Sequence, residues 1–146
     1  MKLEKLFEVK NNRLYRIGGE EVATAGMAKL VTWSQVEPNA DEYDEAFLAA
    51  LRDELKNLEA QKKFVYIDAV FDKDGTPEQF TAAMKHCARR IKDCVSVAGF
   101  AIPEQLAAGG FAEGAAAANF MLEISQKHAQ YVYFCKTAAP DVVILQ

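Results

Sequence analysis

The sequence has little of what marks several common classes of protein. Its 146 residues carry a formal net charge of -4, whereas proteins that bind nucleic acid or anionic membranes usually have an excess of basic residues. The charged N-terminus lacks the apolar core of a secretory signal, and no apolar run reaches the length of a membrane span. We therefore expect a cytoplasmic protein with neither nucleic acid nor a membrane as its partner.

Cysteine and histidine are also scarce. The three cysteines, Cys87, Cys94 and Cys135, are odd in number and have no CxxC spacing, so we expect reduced, mostly buried thiols. The two histidines, His86 and His128, fall on predicted helices. The chain shows neither a nucleophile elbow nor the Lys-Ser/Thr ending of a phosphate-binding P-loop. We expect no metal and no cofactor.

The N-terminal part of the sequence predicts a β-hairpin. Two short strand-like runs, residues 6–10 and 13–17, flank Asn11-Asn12, and asparagine pairs are typical of tight hairpin turns. Residues 1–25 are therefore interpreted as a small antiparallel element. It leads into a β/α repeat over residues 26–146, and the two parts together form one predicted α/β domain.

The repeat alternates apolar runs with helical patterns. Strands are predicted over residues 27–33, 64–70, 95–102 and 142–145, with helices between them over 41–61, from Thr76 onward, and 115–137. Asn39 or Asp41 is the expected cap of the first helix. The second begins with Thr76 as its N-cap, Pro77 at its first position and Gln79 completing a capping box.

Continuous apolar strands between helices indicate a parallel sheet that is buried on both faces. The order β-α-β-α-β-α-β fits two architectures, which the residues alone do not separate: half of a (β/α)8 barrel, or an open doubly wound sheet. In both, ligands bind beyond the carboxyl ends of the strands.

Several segments then show a family resemblance. Residues 31–38 (VTWSQVEP), followed by Tyr43 and Asp44, resemble the segment that closes the second strand in the cellulase-like clan A of glycoside hydrolase barrels. Residues 64–71 (FVYIDAVF), 97–105 (VAGFAIPEQ) and 138–144 (AAPDVVI) are similar to its third, fourth and fifth strands. Residues 16–22 resemble the hairpin that precedes its first strand. The resemblance implies the N-terminal half of such a barrel, which stops after the fifth strand.

The departures from the family bear on activity. Glu104 matches the acid/base glutamate of the fourth strand, but Pro103 replaces the asparagine that precedes it. Val70 or Phe71 stands where the third strand of the family often has histidine, and the helix between the first two strands is missing. The family's nucleophilic glutamate, on the seventh strand, has no counterpart. Retaining hydrolysis needs two carboxyl groups about 5 Å apart, so one partner of the pair is absent.

The candidate site residues follow from the strand ends and the resemblance. Glu104 is the predicted catalytic acid, with a capping or loop carboxylate as its alternative. Trp33, the single tryptophan, is the predicted sugar platform, because aromatic faces stack on sugars; its alternative is core packing. Glu37, Asp68 and Gln105 complete the predicted substrate-binding set. Glu37 is alternatively a loop carboxylate, and Asp68 is alternatively paired with a lysine.

We therefore expect a glycoside-hydrolase-like partial barrel that binds an oligo- or polysaccharide at the strand carboxyl ends. It would hydrolyse O-glycosidic bonds only if a partner supplied a second carboxylate. The alternative is a non-catalytic degenerate barrel that acts in assembly or in binding a small ligand. Because an unclosed barrel leaves an unpaired strand edge, we also expect a homodimer through that edge.

Overall fold

The computed structural model describes residues 3–146 and contains two sheets. A hairpin comprises β1 (Phe7–Lys10) and β2 (Arg13–Arg16). The main sheet comprises β3 (Ala28–Thr32), β4 (Val65–Val70), β5 (Val97–Ala101), β6 (Val132–Cys135) and β7 (Val143–Ile144). The helices are α1 (Trp33–Val36), α2 (Glu45–Ala60), α3 (Pro77–Ile91), α4 (Glu104–Ala107) and α5 (Ala116–Ser125).

The predicted hairpin is confirmed, and its turn has a local cause. Asn11 and Asn12 have φ values of 53° and 62°, which a two-residue turn of the primed type requires and asparagine tolerates better than most residues. Antiparallel pairing then runs from Phe7 with Arg16 to Lys10 with Arg13.

The main sheet confirms the predicted α/β class and bears on the choice between the two architectures. All neighbouring strands are parallel, and their order in space is β3-β4-β5-β6-β7. Each strand lies beside the one before it, so the chain never reverses its direction of travel across the sheet. Such a singly wound order is that of a (β/α)8 barrel, whereas a doubly wound sheet contains a switch point. The order favours the partial barrel.

The two faces of the sheet have different covers. All five helices bury side chains in one cluster with residues of the first face, among them Leu51, Met84, Leu106, Phe120, Ile67 and Phe100. The hairpin covers the second face, where Phe7 and Leu14 pack with Tyr66, Ala98 and Phe134. In a closed barrel this second face would be the interior, so we call it the inner face. The hairpin shields its apolar part from water.

Helix starts agree with the capping rules, with one correction. Thr76 accepts a hydrogen bond from the Gln79 amide, and the reciprocal bond of the capping box is also made. The first long helix begins later than predicted, at Glu45, and its cap is Asp44 rather than Asn39 or Asp41. Asp41 has a φ of 62°, which is incompatible with a right-handed helix.

The largest error of the sequence-based prediction concerns residues 115–137. This segment is not one helix, because α5 ends at Ser125 and the chain then forms β6, whose four residues are all buried. His128 consequently follows the helix instead of lying on it. A continuous apolar run of four residues has no period of its own, so periodicity does not separate such a strand from a buried helical turn.

Strands β5 and β6 approach each other closely at Gly99. The register shifts by one residue at the start of β5, so that Val97 pairs with Val65 but Gly99 pairs with Tyr66. Gly99 then lies opposite Val132 of β6. A Cβ atom added to Gly99 would lie 2.7 Å from the Val132 carbonyl carbon and would overlap its oxygen. Only glycine fits this position without moving the strands.

Candidate functional site

Polar side chains collect where the parallel strands end. Ser34 follows β3 and binds Asp72, which follows β4, through its backbone amide and its hydroxyl. Four further groups lie near strand ends: Asp68 lies two residues before the end of β4, and Glu104, Lys136 and Thr137 lie within three residues after the ends of β5 and β6. Because parallel strands bring their carboxyl ends to one edge, these groups share one side of the sheet. We call the set of Asp68, Glu104, Gln105, Lys136 and Thr137 the carboxyl-edge site.

Glu104 is exposed near the carboxyl end of β5. It is the first residue of α4, directly after Pro103. Pro103 is the N-cap but makes no side-chain hydrogen bond. The side-chain oxygen of an asparagine at this position could accept one from a backbone amide of the first helical turn. The carboxylate accepts a hydrogen bond of 3.3 Å from the Thr137 hydroxyl, which follows β6. Its neighbour Gln105 is also exposed, and its amide nitrogen lies 3.5 Å from the carbonyl oxygen of Phe71.

Asp68 projects from β4 onto the inner face. It lies in register with Leu30 of β3 and Ala101 of β5. Burial raises the pKa of this carboxyl group, and the positive charge of Lys136 partly opposes the rise. Both residues line a cavity of about 530 Å³ between the inner face and the segment that joins the hairpin to β3. The cavity combines a carboxyl group, an ammonium group and the ring of Tyr66.

The structure places Trp33 in the core and not at the site. The side chain is only 2% exposed, and its ring packs edge-on against Phe71 and Phe80. The Lys73 ammonium lies 5.2 Å from the centre of the indole ring. The predicted sugar platform thus has no free ring face, and the core-packing alternative describes its surroundings.

Glu37 is likewise occupied within its own loop. One carboxylate oxygen accepts the Trp33 indole N–H at 2.7 Å, and the other accepts the Asp41 amide at 2.8 Å. Lys73 donates to the Glu37 carbonyl oxygen and lies 4.0 Å from its carboxylate. These bonds order the loop between α1 and α2. Of the predicted set, Glu104, Gln105 and Asp68 therefore lie near the carboxyl ends of the strands, whereas Trp33 and Glu37 are bonded to each other beside the core.

Sequence reasoning missed Lys136 and Thr137, because it assigned them to the end of a helix. Both follow β6 directly, so they reach the edge only once that strand is recognised. The available signal was the run Tyr131–Cys135, in which every residue is aromatic, β-branched or cysteine and which is typical of strands.

The surroundings of the three cysteines keep their thiols protonated near neutral pH. All three are free and buried. Burial raises the pKa of the Cys87 thiol to about 12 and is the main cause that raises that of Cys94 to about 11. Thiolates are therefore suppressed near neutral pH. Within residues 3–146, no group of three or more ligating side chains could hold a metal ion, and no helix has the length and apolarity needed to cross a bilayer.

Comparisons with known proteins agree with the fold. No family model matches the chain, and no curated protein matches it either. A solved structure, the crystal structure of a GH5_18 from Bifidobacterium longum subsp. infantis, is similar with a TM-score of 0.54 and 10% sequence identity. The match covers 74% of this chain and 33% of that chain. The fold of the chain is thus similar to part of that protein, a third of whose length it spans.

Proposed function

We propose that this chain is a glycoside-hydrolase-like partial barrel that binds an oligo- or polysaccharide at the carboxyl-edge site. Glu104 serves as the acid. Hydrolysis of an O-glycosidic bond takes place only when a partner chain brings a second carboxylate to the same edge. The observation that carries the proposal is the exposed Glu104 carboxylate at the carboxyl end of β5, in a singly wound parallel sheet.

We propose that the inner face supplies the surface that binds the sugar. The cavity that contains Asp68 and Lys136 offers an acceptor, a donor and apolar surface, which is the mixture that sugar hydroxyls and ring faces require. Thr137 holds the Glu104 carboxylate by a single hydrogen bond. That bond positions the acid and leaves its other oxygen free to meet a substrate.

The second carboxylate has to come from outside the described chain. Asp72 is engaged by Ser34 through two hydrogen bonds. Asp68 lies opposite Ala101, three positions before Glu104, and lines a cavity whose described lining does not include Glu104. A retaining pair has its carboxyl groups about 5–5.5 Å apart. Binding is therefore the function expected of the isolated chain, and catalysis that of an assembly.

The test compares binding and hydrolysis in one set of variants. Isothermal titration with soluble β-glucan oligosaccharides should show binding to the wild-type chain. Asp68→Ala should weaken it by about tenfold, since one buried polar contact is lost. Aryl-glycoside hydrolysis, if present in the assembled state, should disappear in Glu104→Gln and persist in Glu113→Gln, a carboxylate in the exposed loop that follows. Absence of carbohydrate binding would refute the proposal, and hydrolysis that survives Glu104→Gln would refute the assignment of the acid.

A second candidate function is assembly without catalysis, and it is favoured by the unpaired side of the outermost strand β3. Strand β3 has a neighbour on one side only, and Leu30 on this strand is 59% exposed. An open edge with an exposed apolar side chain is suited to pairing with another strand. We propose that two copies of the chain associate through β3.

Light scattering after size-exclusion chromatography tests this association. Leu30→Lys places a charge on the exposed edge and should convert the dimer into a monomer. The matched control is Ile17→Lys, since Ile17 is similarly exposed at 52% but lies in the turn after the hairpin. A monomeric wild-type chain, or dimers unaffected by Leu30→Lys, would rule out this interface.

A further inference from the structure

A second cavity, distinct from the carboxyl-edge site, carries a concentration of positive charge. It is a groove of about 650 Å³ along the outer side of α3, a helix that packs on the face of the sheet opposite to Asp68. Four of its lining residues are cations and none of its described lining residues is acidic: Lys85, Arg89, Lys92 and Lys127 are joined by Tyr43 and His86 and by uncharged neighbours. We call it the basic groove.

The spacing of the residues explains how the cations meet. Lys85 and Arg89 lie on α3 and Lys92 follows as its C-cap, at intervals of four and three residues, so they share one side of the helix over about 10 Å. Ala82, one turn earlier, leaves space between them and the neighbouring elements. Lys127 enters from the segment after α5. Two separate parts of the chain thus direct cations into one groove.

Most of this charge is not neutralised by the protein itself. Lys85 lies 3.0 Å from the Glu123 carboxylate. Across residues 3–146, no carboxylate lies within 4.0 Å of the charged groups of Arg89, Lys92 or Lys127. The next residue, Arg90, differs, since Glu45 holds its guanidinium at 2.8 Å. Three of the four cations that line the groove therefore have no carboxylate partner among the described residues.

This pattern points to an anionic ligand of small size, and we propose that the basic groove binds a small ligand bearing a phosphoryl group. A phosphate ester carries a charge of about -1.5 to -2 near neutral pH, so one such group would offset two of the cations. The Arg89 guanidinium suits the geometry of phosphate oxygens, and lysines add point charges. A groove of about 650 Å³ is within the usual range of small-molecule sites.

The charge on the rest of the molecule argues against a nucleic acid in this groove. The total formal charge is -4, so the chain without the four groove cations carries -8. A long polyanion would extend beyond a cationic segment of about 10 Å and meet this negative surface. A ligand with one or two phosphoryl groups would not.

The experiment is a nuclear magnetic resonance titration of the full chain with inorganic pyrophosphate at low ionic strength. Amide shifts should concentrate in residues 82–92 and 127–130. Arg89→Gln combined with Lys92→Gln should weaken the apparent affinity by about tenfold or more. The control, Lys5→Gln combined with Lys63→Gln, changes the net charge equally at exposed lysines outside the groove and should leave the affinity within about twofold.

Three outcomes would overturn the proposal: no shifts at about 10 mM pyrophosphate, equal weakening in the control and groove variants, or tighter binding of a single-stranded oligonucleotide than of pyrophosphate. If the double variant does not fold, Lys127→Gln, which lies outside any helix, replaces it and should weaken binding by about threefold. Glucose and Glu104→Gln provide further controls. Neither carbohydrate binding nor its loss affects this readout, so it is independent of the proposed function.

Discussion

Replacing Gly99 with alanine tests the close approach of β5 and β6 at this residue. The added Cβ would lie 2.7 Å from the Val132 carbonyl carbon, whereas carbon atoms in contact are about 3.5–4.0 Å apart. The added Cβ would also overlap the Val132 carbonyl oxygen, so the two strands would have to separate by more than about 1 Å at this point. Because β6 joins β7 to the rest of the sheet, the disturbance affects both C-terminal strands.

The cost of Gly99→Ala follows from two contributions. Forcing an extra carbon into a packed site costs about 1–3 kcal/mol, and weakening one or two hydrogen bonds of the β5–β6 ladder adds about 1 kcal/mol each. We expect a loss of about 2–4 kcal/mol in the free energy of unfolding. For a domain of this size, the midpoint of thermal unfolding should fall by about 4–16 °C.

Urea denaturation followed by circular dichroism measures this loss. Gly109→Ala is the matched control, since Gly109 lies in an exposed loop where an added Cβ meets nothing within 4 Å. It should be neutral or stabilising by up to about 1 kcal/mol, because alanine restricts the unfolded chain. If Gly99→Ala lies within about 0.5 kcal/mol of Gly109→Ala, the close approach is not a feature of the molecule and the reasoning fails.

Three further predictions concern pH, a turn and a cap. Burial raises the pKa of Asp68, so the contribution of this residue to stability should fall as pH rises from about 4, where the unfolded chain ionises first. The difference in unfolding free energy between the wild type and Asp68→Asn should therefore change with pH in this direction in urea titrations at several pH values. Asn12→Gly keeps the turn geometry but removes donors to the Ala139 and Val142 carbonyls, so unfolding should need about 1–3 kcal/mol less, and an unchanged urea midpoint would contradict this. Thr76→Ala removes the capping box of α3 and should cost about 1 kcal/mol, whereas Thr76→Ser should retain most of it.

Local rules predicted the elements whose cause is local. Asn11-Asn12 specified the hairpin turn, and Thr76, Pro77 and Gln79 specified the start of α3. Each signal lies within four residues and depends on the conformation or hydrogen bonds of its own backbone. The alternation of apolar runs with helical patterns also predicted the α/β class of the main sheet.

The site was predicted only in part, because its remaining members depend on pairing over long sequence distances. The prediction placed Glu104 at the carboxyl ends of the strands because it recognised the strand before this residue. It did not place Lys136 and Thr137 there, since it assigned β6 to a helix. The prediction correctly placed Trp33 at the end of a strand, but its ring lies in the core, where it packs against Phe71 and Phe80. Side-chain direction at a strand end is decided by packing that no spacing encodes.

The hairpin has a consequence for the order of events during synthesis. The Asn12 side chain bonds to carbonyl groups 127 and 130 residues later, and the Ile144 amide donates to the Asn12 carbonyl oxygen. At about 5–20 residues per second, the ribosome needs roughly 6–25 s to produce that partner segment. Until then Phe7 and Leu14 lack the final strands beside which they pack. The apolar cluster of the inner face is therefore completed only after β6 and β7 have been synthesised.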